Sequence, residues 1–316
     1  MSTILITGSS GYLGTELCRK LESDDAVTAI IGVDLARPAE AFSKLTFYER
    51  DCTGDMRDIF EAHAIDTVVH MVFVLDMLHD KRRMRHINVD SMENVLGHCH
   101  AAGVGRIFVT SSSTAYGAHK DNPVPLKEEH PLRGNKAYQY SFDKNLVEAL
   151  LATYQAEHPD CDVIIARAAI VLGPNVDNFL GRYLTKPIVP WLIRGQKMQF
   201  VHEADAREAL YVLATEAGRG VYNVGPPDSV DPAAVARENG GRLLRLPAWL
   251  LRPVTQIAWW LRLRFLTEAP GGMILFIQHS WVVDGSKLER ETSFRYRHTS
   301  RQALQTVFDR KKEAAV

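Results

Sequence analysis

Tyr140-Ser141-Phe142-Asp143-Lys144 sets a phenol and an ammonium four residues apart. If Tyr140 opens a helix, Lys144 stands one turn on along the same face and the cation lies near the phenol. A free phenol ionises at about pH 10 and is a poor base in neutral water. A neighbouring cation favours the phenolate, and the positive charge of an oxidised nicotinamide would add to that pull. A tyrosine tuned in this way takes a proton from an alcohol as hydride leaves, or returns one to a carbonyl as hydride arrives. The same spacing also occurs as a plain surface pair, so the rest of the chain has to supply a place for a hydride carrier.

That place is legible near the start. Residues 3–7 form an apolar, β-branched run of the kind found in buried parallel strands, and Leu13, Leu17 and Leu21 then recur as on one face of a helix. Between them lies Gly8-Ser9-Ser10-Gly11-Tyr12-Leu13-Gly14. Gly8 can take backbone angles denied to other residues, Gly11 lets the main chain approach a ligand, and Gly14 lets helix pack on strand. The first amides of such a helix lack internal partners and carry the positive end of its dipole, so they suit a pyrophosphate. Residues 27–33 read as a second strand ending in Asp34, placed to accept the ribose hydroxyls of NAD. Arg37 is close enough to attract a 2′-phosphate, which keeps NADP as the alternative to NAD. A third cluster, residues 107–117, ends a strand in Thr110-Ser111-Ser112-Ser113-Thr114, where open parallel sheets place their ligand crevice. One of these hydroxyls could donate to a developing alkoxide; the plainer reading is a Ser/Thr-rich turn.

The elements that must hold these residues alternate as strand and helix, the pattern of right-handed crossovers and a Rossmann-type, doubly wound parallel sheet. Long helical stretches are expected at 84–102 and 140–158. Residues 1–170 read as the dinucleotide-binding domain, with 199–224 returning to its sheet, and 171–316 as a smaller C-terminal substrate-binding subdomain. The 316 residues carry 37 basic and 38 acidic side chains, so no global field draws the chain to nucleic acid. The basic run 81–86 fits a solvated helix face. The four cysteines, Cys18, Cys52, Cys99 and Cys161, form no C-x-x-C pair, which argues against a metal site and a disulfide framework. With no leader-like segment before the first strand, the cytoplasm is expected. Residues 249–266, rich in Leu and Trp and studded with Arg252, Arg262 and Arg264, fit a core or lid helix over the cleft, with a membrane-surface helix as the alternative. The run is too short for an integral span.

Taken together, these motifs resemble the extended short-chain dehydrogenase/reductases of the NAD-dependent epimerase/dehydratase family. The residues that carry the resemblance run nearly the whole length: residues 7–14, Asp34, Asp51, Val69-His70-Met71, Asn88-Val89-Asp90, Ser111-Ser112 with Tyr116-Gly117, Tyr140 to Lys144, Arg167 with Gly173-Pro174, Phe200-Val201-His202 with Asp205, and residues 281–288 with Phe294. The resemblance implies that Ser112, rather than Ser111 or Ser113, is the catalytic hydroxyl, that Tyr140 is the acid and base, and that Lys144 lowers its pKa and holds the nicotinamide ribose. It implies cofactor contacts at Gly8, Ser10, Gly11, Tyr12, Leu13, Gly14, Asp34, Asp51, Cys52, Met71, Tyr140 and Lys144, with Asp51 at the adenine. Asn88 would hold its helix beside the site. The two long helices would pair into a homodimer interface, although their apolar positions also suit packing within one chain. Departures narrow the chemistry. Sugar-nucleotide dehydratases of the family carry Asp-Glu where this chain has Ser113 and Thr114, so dehydration is not expected. Many sugar-nucleotide epimerases have Asn where this chain has Ile170, which favours a less polar alcohol or ketone alongside the sugar-nucleotide reading. The expectation is an NAD(P)-dependent oxidoreductase or epimerase acting on a small molecule, against the alternative of a non-catalytic dinucleotide-binding sensor.

Overall fold

The computed structural model describes residues 2–313. Among the described residues there are eleven strands: β1 (Ser2–Thr7), β2 (Val27–Asp34), β3 (Leu45–Glu49), β4 (Thr67–His70), β5 (Arg106–Ser112), β6 (Asp162–Ala168), β7 (Ile170–Leu172), β8 (Ile188–Leu192), β9 (Phe200–His202), β10 (Gly220–Val224) and β11 (Arg242–Leu246). Seven of them make one sheet in the order β3-β2-β1-β4-β5-β6-β10, every neighbouring pair parallel. The order reverses direction between β1 and β4, so the C-terminal ends of these two strands open a crevice at the switch point. Continuous apolar runs such as Ile4-Leu5-Ile6 and Val68-Val69 are buried on both faces, as a sheet covered by helices on each side requires. One face packs Leu17 and Leu21 of helix Tyr12–Glu22 with Ala209 and Leu213 of helix Glu203–Thr215. The other packs Met92, Val95 and Cys99 with Val147 and Leu151. This is the doubly wound, Rossmann-type α/β architecture expected from the sequence.

Residues 220–224 join the sheet beside β6, while β9 pairs instead with β7 in a separate two-stranded ribbon. A third core, around Trp191, Leu184, Ile274, Phe276 and Trp281, gathers the later segments above the crevice.

Two elements differ from expectation. The helix expected over 84–102 is interrupted: Lys81–Arg85 runs into a π-helical turn, His86–Asp90, before the regular helix Ser91–Ala102. The extra residue per turn is centred on Asn88, whose Oδ1 accepts from the Val74 amide at 2.8 Å while its Nδ2 donates to Asp143 at 3.0 Å. The helix expected over 249–266 is also shorter than its apolar run. It spans Ala248–Trp260 and is followed by a turn with Arg262 at a positive φ of 57°.

Candidate functional site

A cavity of about 460 Å³ lies above the C-terminal ends of β1, β4 and β5. Its one wall is the turn after β1. Gly8 has φ 79°, and a Cβ on Gly14 would lie 2.1 Å from the Gly8 carbonyl oxygen, so only glycine lets the turn close onto the helix. Helix Tyr12–Glu22 begins at Gly11 with no side chain capping its amides and no acid in its first turn. Those unpartnered amides, facing a cavity that Gly8, Gly11, Tyr12, Leu13 and Gly14 line, suit a pyrophosphate. At the end of β2, Asp34 Oδ2 accepts from the Ser10 amide at 2.9 Å, and Ser10 Oγ donates to the Ala36 carbonyl at 2.5 Å. The carboxylate is thereby oriented, with lone pairs left for hydroxyl donors. Ser10, Asp34, Asp51 and Cys52 are not on the cavity wall. Asp51 accepts from the Thr53 amide and hydroxyl, and Cys52 is buried, its thiol pushed up to about 12 by that burial. Arg37 stacks over Phe47 at 5.3 Å.

The opposite wall carries the hydroxyls and the amine. Met71, Thr110, Ser111, Ser112, Thr114, Tyr140 and Lys144 all line the cavity. Alternation along β5 sorts the serines. Ser111 Oγ donates to Glu148 at 2.5 Å, and Ser113 Oγ donates to the Ala168 carbonyl at 3.2 Å. Ser112 Oγ accepts from the Thr114 hydroxyl at 2.9 Å and lines the same wall as the Tyr140 phenol. Behind them, Glu148 pairs with Arg167 at 2.7 Å, and Arg167 donates to Tyr116 Oη at 2.7 Å, a buried network that pins β5, β6 and helix Gln139–Glu157 together.

The charge states depart from what the spacing alone suggests. Burial raises the Tyr140 phenol to about 12, and the hydrogen bond with Ser112 pulls the other way. Lys144 is itself pushed down to about 7 by burial, against the pull of Glu148 and Asp143. Its ammonium donates to the Thr110 carbonyl at 2.7 Å and lies 3.5 Å from the Phe73 ring centroid but 5.9 Å from that of Tyr140. The amine is thus directed at a carbonyl and an aromatic face, and burial is what dominates the Tyr140 phenol, with Ser112 pulling against it. Phe73, edge-on to Tyr140 at 5.2 Å, and the neighbouring Tyr138 were missed by sequence reasoning. Only the short spacing between Tyr138 and Tyr140 pointed to any of them.

The far end of the cavity is apolar. Met198, Met273, Phe276, Ile277 and Trp281 line it together with Phe179 and Tyr183. Neither Trp259 nor Trp260 reaches the wall, which corrects the lid expectation for residues 249–266: helix Ala248–Trp260 backs the segment Gly271–Ile274, and Met273 of that segment is what the cavity meets. Among the described residues no cluster of His, Cys, Asp and Glu could hold a metal ion, and no helix is long and apolar enough to cross a membrane.

Comparison with known proteins agrees with the fold. An uncharacterized protein of Mycobacterium tuberculosis is 25% identical over 315 residues, 96% of this chain and 83% of that one. The structure of MoeE5 in complex with UDP-glucuronic acid and NAD superposes with a TM-score of 0.75 at 21% identity, covering 99% of each chain. The UDP-Glc/GlcNAc 4-epimerase of Campylobacter jejuni superposes with a TM-score of 0.74 at 18% identity, covering 99% of this chain and 100% of that one. The sequence pattern of the NAD dependent epimerase/dehydratase family matches residues 4–225, and the chain belongs to that family.

Proposed function

We propose that the protein is an NAD-dependent oxidoreductase that moves a hydride at a secondary alcohol or ketone carbon, with Tyr140 as the acid and base. The observation that carries this reading is the convergence of Ser112, Tyr140 and Lys144 on one wall of a cavity whose other wall is an uncapped helix N-terminus at a glycine turn. Gly8, Gly11 and Gly14 with the amides of residues 12–14 would hold the pyrophosphate, and Asp34 the adenosine ribose. NAD, when bound, supplies the hydride acceptor or donor. Everything else falls to the chain. Ser112 donates to the substrate oxygen and stabilises negative charge there. Tyr140 gives that oxygen its proton in reduction and takes it in oxidation, and a phenol raised to about 12 stands ready as the donor. Lys144, within the same wall, supplies charge that grows as its ammonium gains polar partners.

The substrate end favours an uncharged, largely apolar molecule. Apart from Lys144, the charged side chains on the cavity wall are Asp76 and Asp177. The nearby Arg182 is already committed to Asp177 at 3.1 Å, Glu268 at 2.6 Å and Asp76 at 3.6 Å. A nucleotide diphosphate would meet carboxylates where it needs cations. The rival reading is a sugar-nucleotide epimerase, which draws its support from relatives such as the UDP-glucose 4-epimerase of Yersinia pestis, 28% identical over 192 residues and 56% of each chain. A homodimer paired through helices Ser91–Ala102 and Gln139–Glu157 belongs to the same proposal.

Turnover with hydrophobic ketones and with sugar nucleotides, in wild type and Tyr140→Phe, separates the readings. We expect activity on a ketone, a loss of roughly 10²-fold or more in the variant, and unchanged NAD affinity. Activity on sugar nucleotides alone would overturn the substrate class. NAD binding without any turnover, and a biological effect that survives Tyr140→Phe, would leave the sensor reading standing.

A further inference from the structure

Helix Ala248–Trp260 is built inside out. The residues it turns inward are Leu251, Thr255 and Ala258, a narrow stripe with a hydroxyl at its centre. The residues it turns to water are the large ones: Trp249 is 77% exposed and Trp260 70%, and Val254, Ile257 and Leu261 are exposed beside them. The turn that follows adds Phe265, 73% exposed, and Leu266. A stripe of this size on a folded surface marks an interaction site. Its charge says what kind. From residue 240 to residue 266 the chain has five arginines, Arg242, Arg245, Arg252, Arg262 and Arg264, and no aspartate or glutamate. All five lie at exposed positions. Tryptophans with one apolar and one polar edge, set among guanidinium groups in a segment that has no carboxylate of its own, match the headgroup layer of an anionic bilayer.

The surface adjoins the cavity. Trp259 stacks on His79 with ring centroids 3.9 Å apart, three residues from Asp76 on the cavity wall. Glu268, two residues past Leu266, pairs with Arg182, whose helix Phe179–Leu184 contributes Phe179 and Leu180 to that wall.

We propose that the face formed by residues 249–266 seats the protein on an anionic membrane surface, with Trp249, Trp260 and Phe265 entering the interface and the arginines meeting lipid headgroups. The cavity wall at Asp76 and Phe179 then lies beside the bilayer, so an apolar alcohol or ketone dissolved there has a short path in; this last step rests on the redox reading, whereas docking does not.

The test is co-sedimentation of the full-length protein with vesicles of phosphatidylcholine, with and without phosphatidylglycerol. Wild type should partition to the phosphatidylglycerol vesicles and lose that affinity as salt rises. The triple variant Trp249→Ser/Trp260→Ser/Phe265→Ser and the charge variant Arg262→Gln/Arg264→Gln should each weaken partitioning about tenfold or more while retaining NAD binding. Absence of binding to anionic vesicles, or binding indifferent to both variants, overturns the proposal. So does a second copy covering the face, seen as an oligomer that the triple variant dissociates and that excludes vesicles. Turnover measured on the same preparations keeps the two readings apart: a protein that docks but does no redox chemistry sinks the enzyme assignment and leaves this one intact.

Discussion

Burial governs Lys144 before any ligand arrives. Its folded-state pKa of about 7 lies well below the ordinary lysine value, so between roughly pH 7 and 10.5 the unfolded chain holds a proton that the folded chain releases. Stability contributed by this group therefore rises with pH across that window and is lowest below pH 7, where a buried ammonium must be accommodated. Lys144→Met should remove the penalty. We expect the cofactor-free variant to melt at a higher temperature than wild type at pH 7, the difference shrinking toward pH 10, as followed by thermal unfolding at several pH values. A constant or inverted difference would mean that the amine gains more from the Thr110 carbonyl and the Phe73 ring than burial takes away. The cost is the kind carried by a site that keeps a titratable amine for use rather than for stability.

The β1-to-helix turn offers a cleaner separation of roles than the catalytic wall. A Cβ at Gly14 would collide with backbone, the Gly8 carbonyl at 2.1 Å, whereas a Cβ at Gly11 would meet that same oxygen at an ordinary 3.4 Å. Gly14→Ala should accordingly cost roughly 1 to 3 kcal/mol of stability and NAD affinity together. Gly11→Ala should leave the melting temperature near wild type and lower NAD affinity alone, because its methyl would occupy the space kept for phosphate. Calorimetric NAD titration beside thermal melts checks both, and equal effects in the two variants would count against the phosphate role. The π-helical turn His86–Asp90 works in the same region, since it delivers Asn88 to both the Val74 amide and Asp143 and so ties the segment carrying Phe73 to helix Gln139–Glu157.

For the assembly, the outward side of helix Gln139–Glu157 carries Phe142, Leu146 and Leu150, all half-buried in the single chain. If this is the pairing face, Leu146→Glu should convert a dimer to a monomer in sedimentation velocity, with the fold kept because the residue is only partly covered by its own chain. A wild-type monomer at micromolar concentration would remove the interface from consideration.

Glycine positions, the period-two and period-four apolar patterns and the Tyr-x-x-x-Lys spacing are local properties of the chain, so the sheet and its glycine turn were legible in the sequence, together with the Ser112, Tyr140 and Lys144 part of the cavity wall. Asp34 followed from its place at the end of the second strand, and the choice of Ser112 over Ser111 and Ser113 from the resemblance. What depends on residues far apart in sequence was not legible. The charge states of Tyr140 and Lys144 are set by desolvation and by partners such as Thr110 and Phe73, which only folding brings near. The turn inserted at Asn88 answers to Val74 and Asp143 rather than to its own neighbours. The helix at residues 248–260 shows the limit most plainly. Its composition reads as core, yet which side of it meets the protein is decided by the small surface that Gly271, Gly272 and Met273 present, and that surface takes Thr255 inward and leaves the tryptophans outside. Periodicity specifies a helix and its faces; burial is a relation between elements, and only the packed chain assigns it.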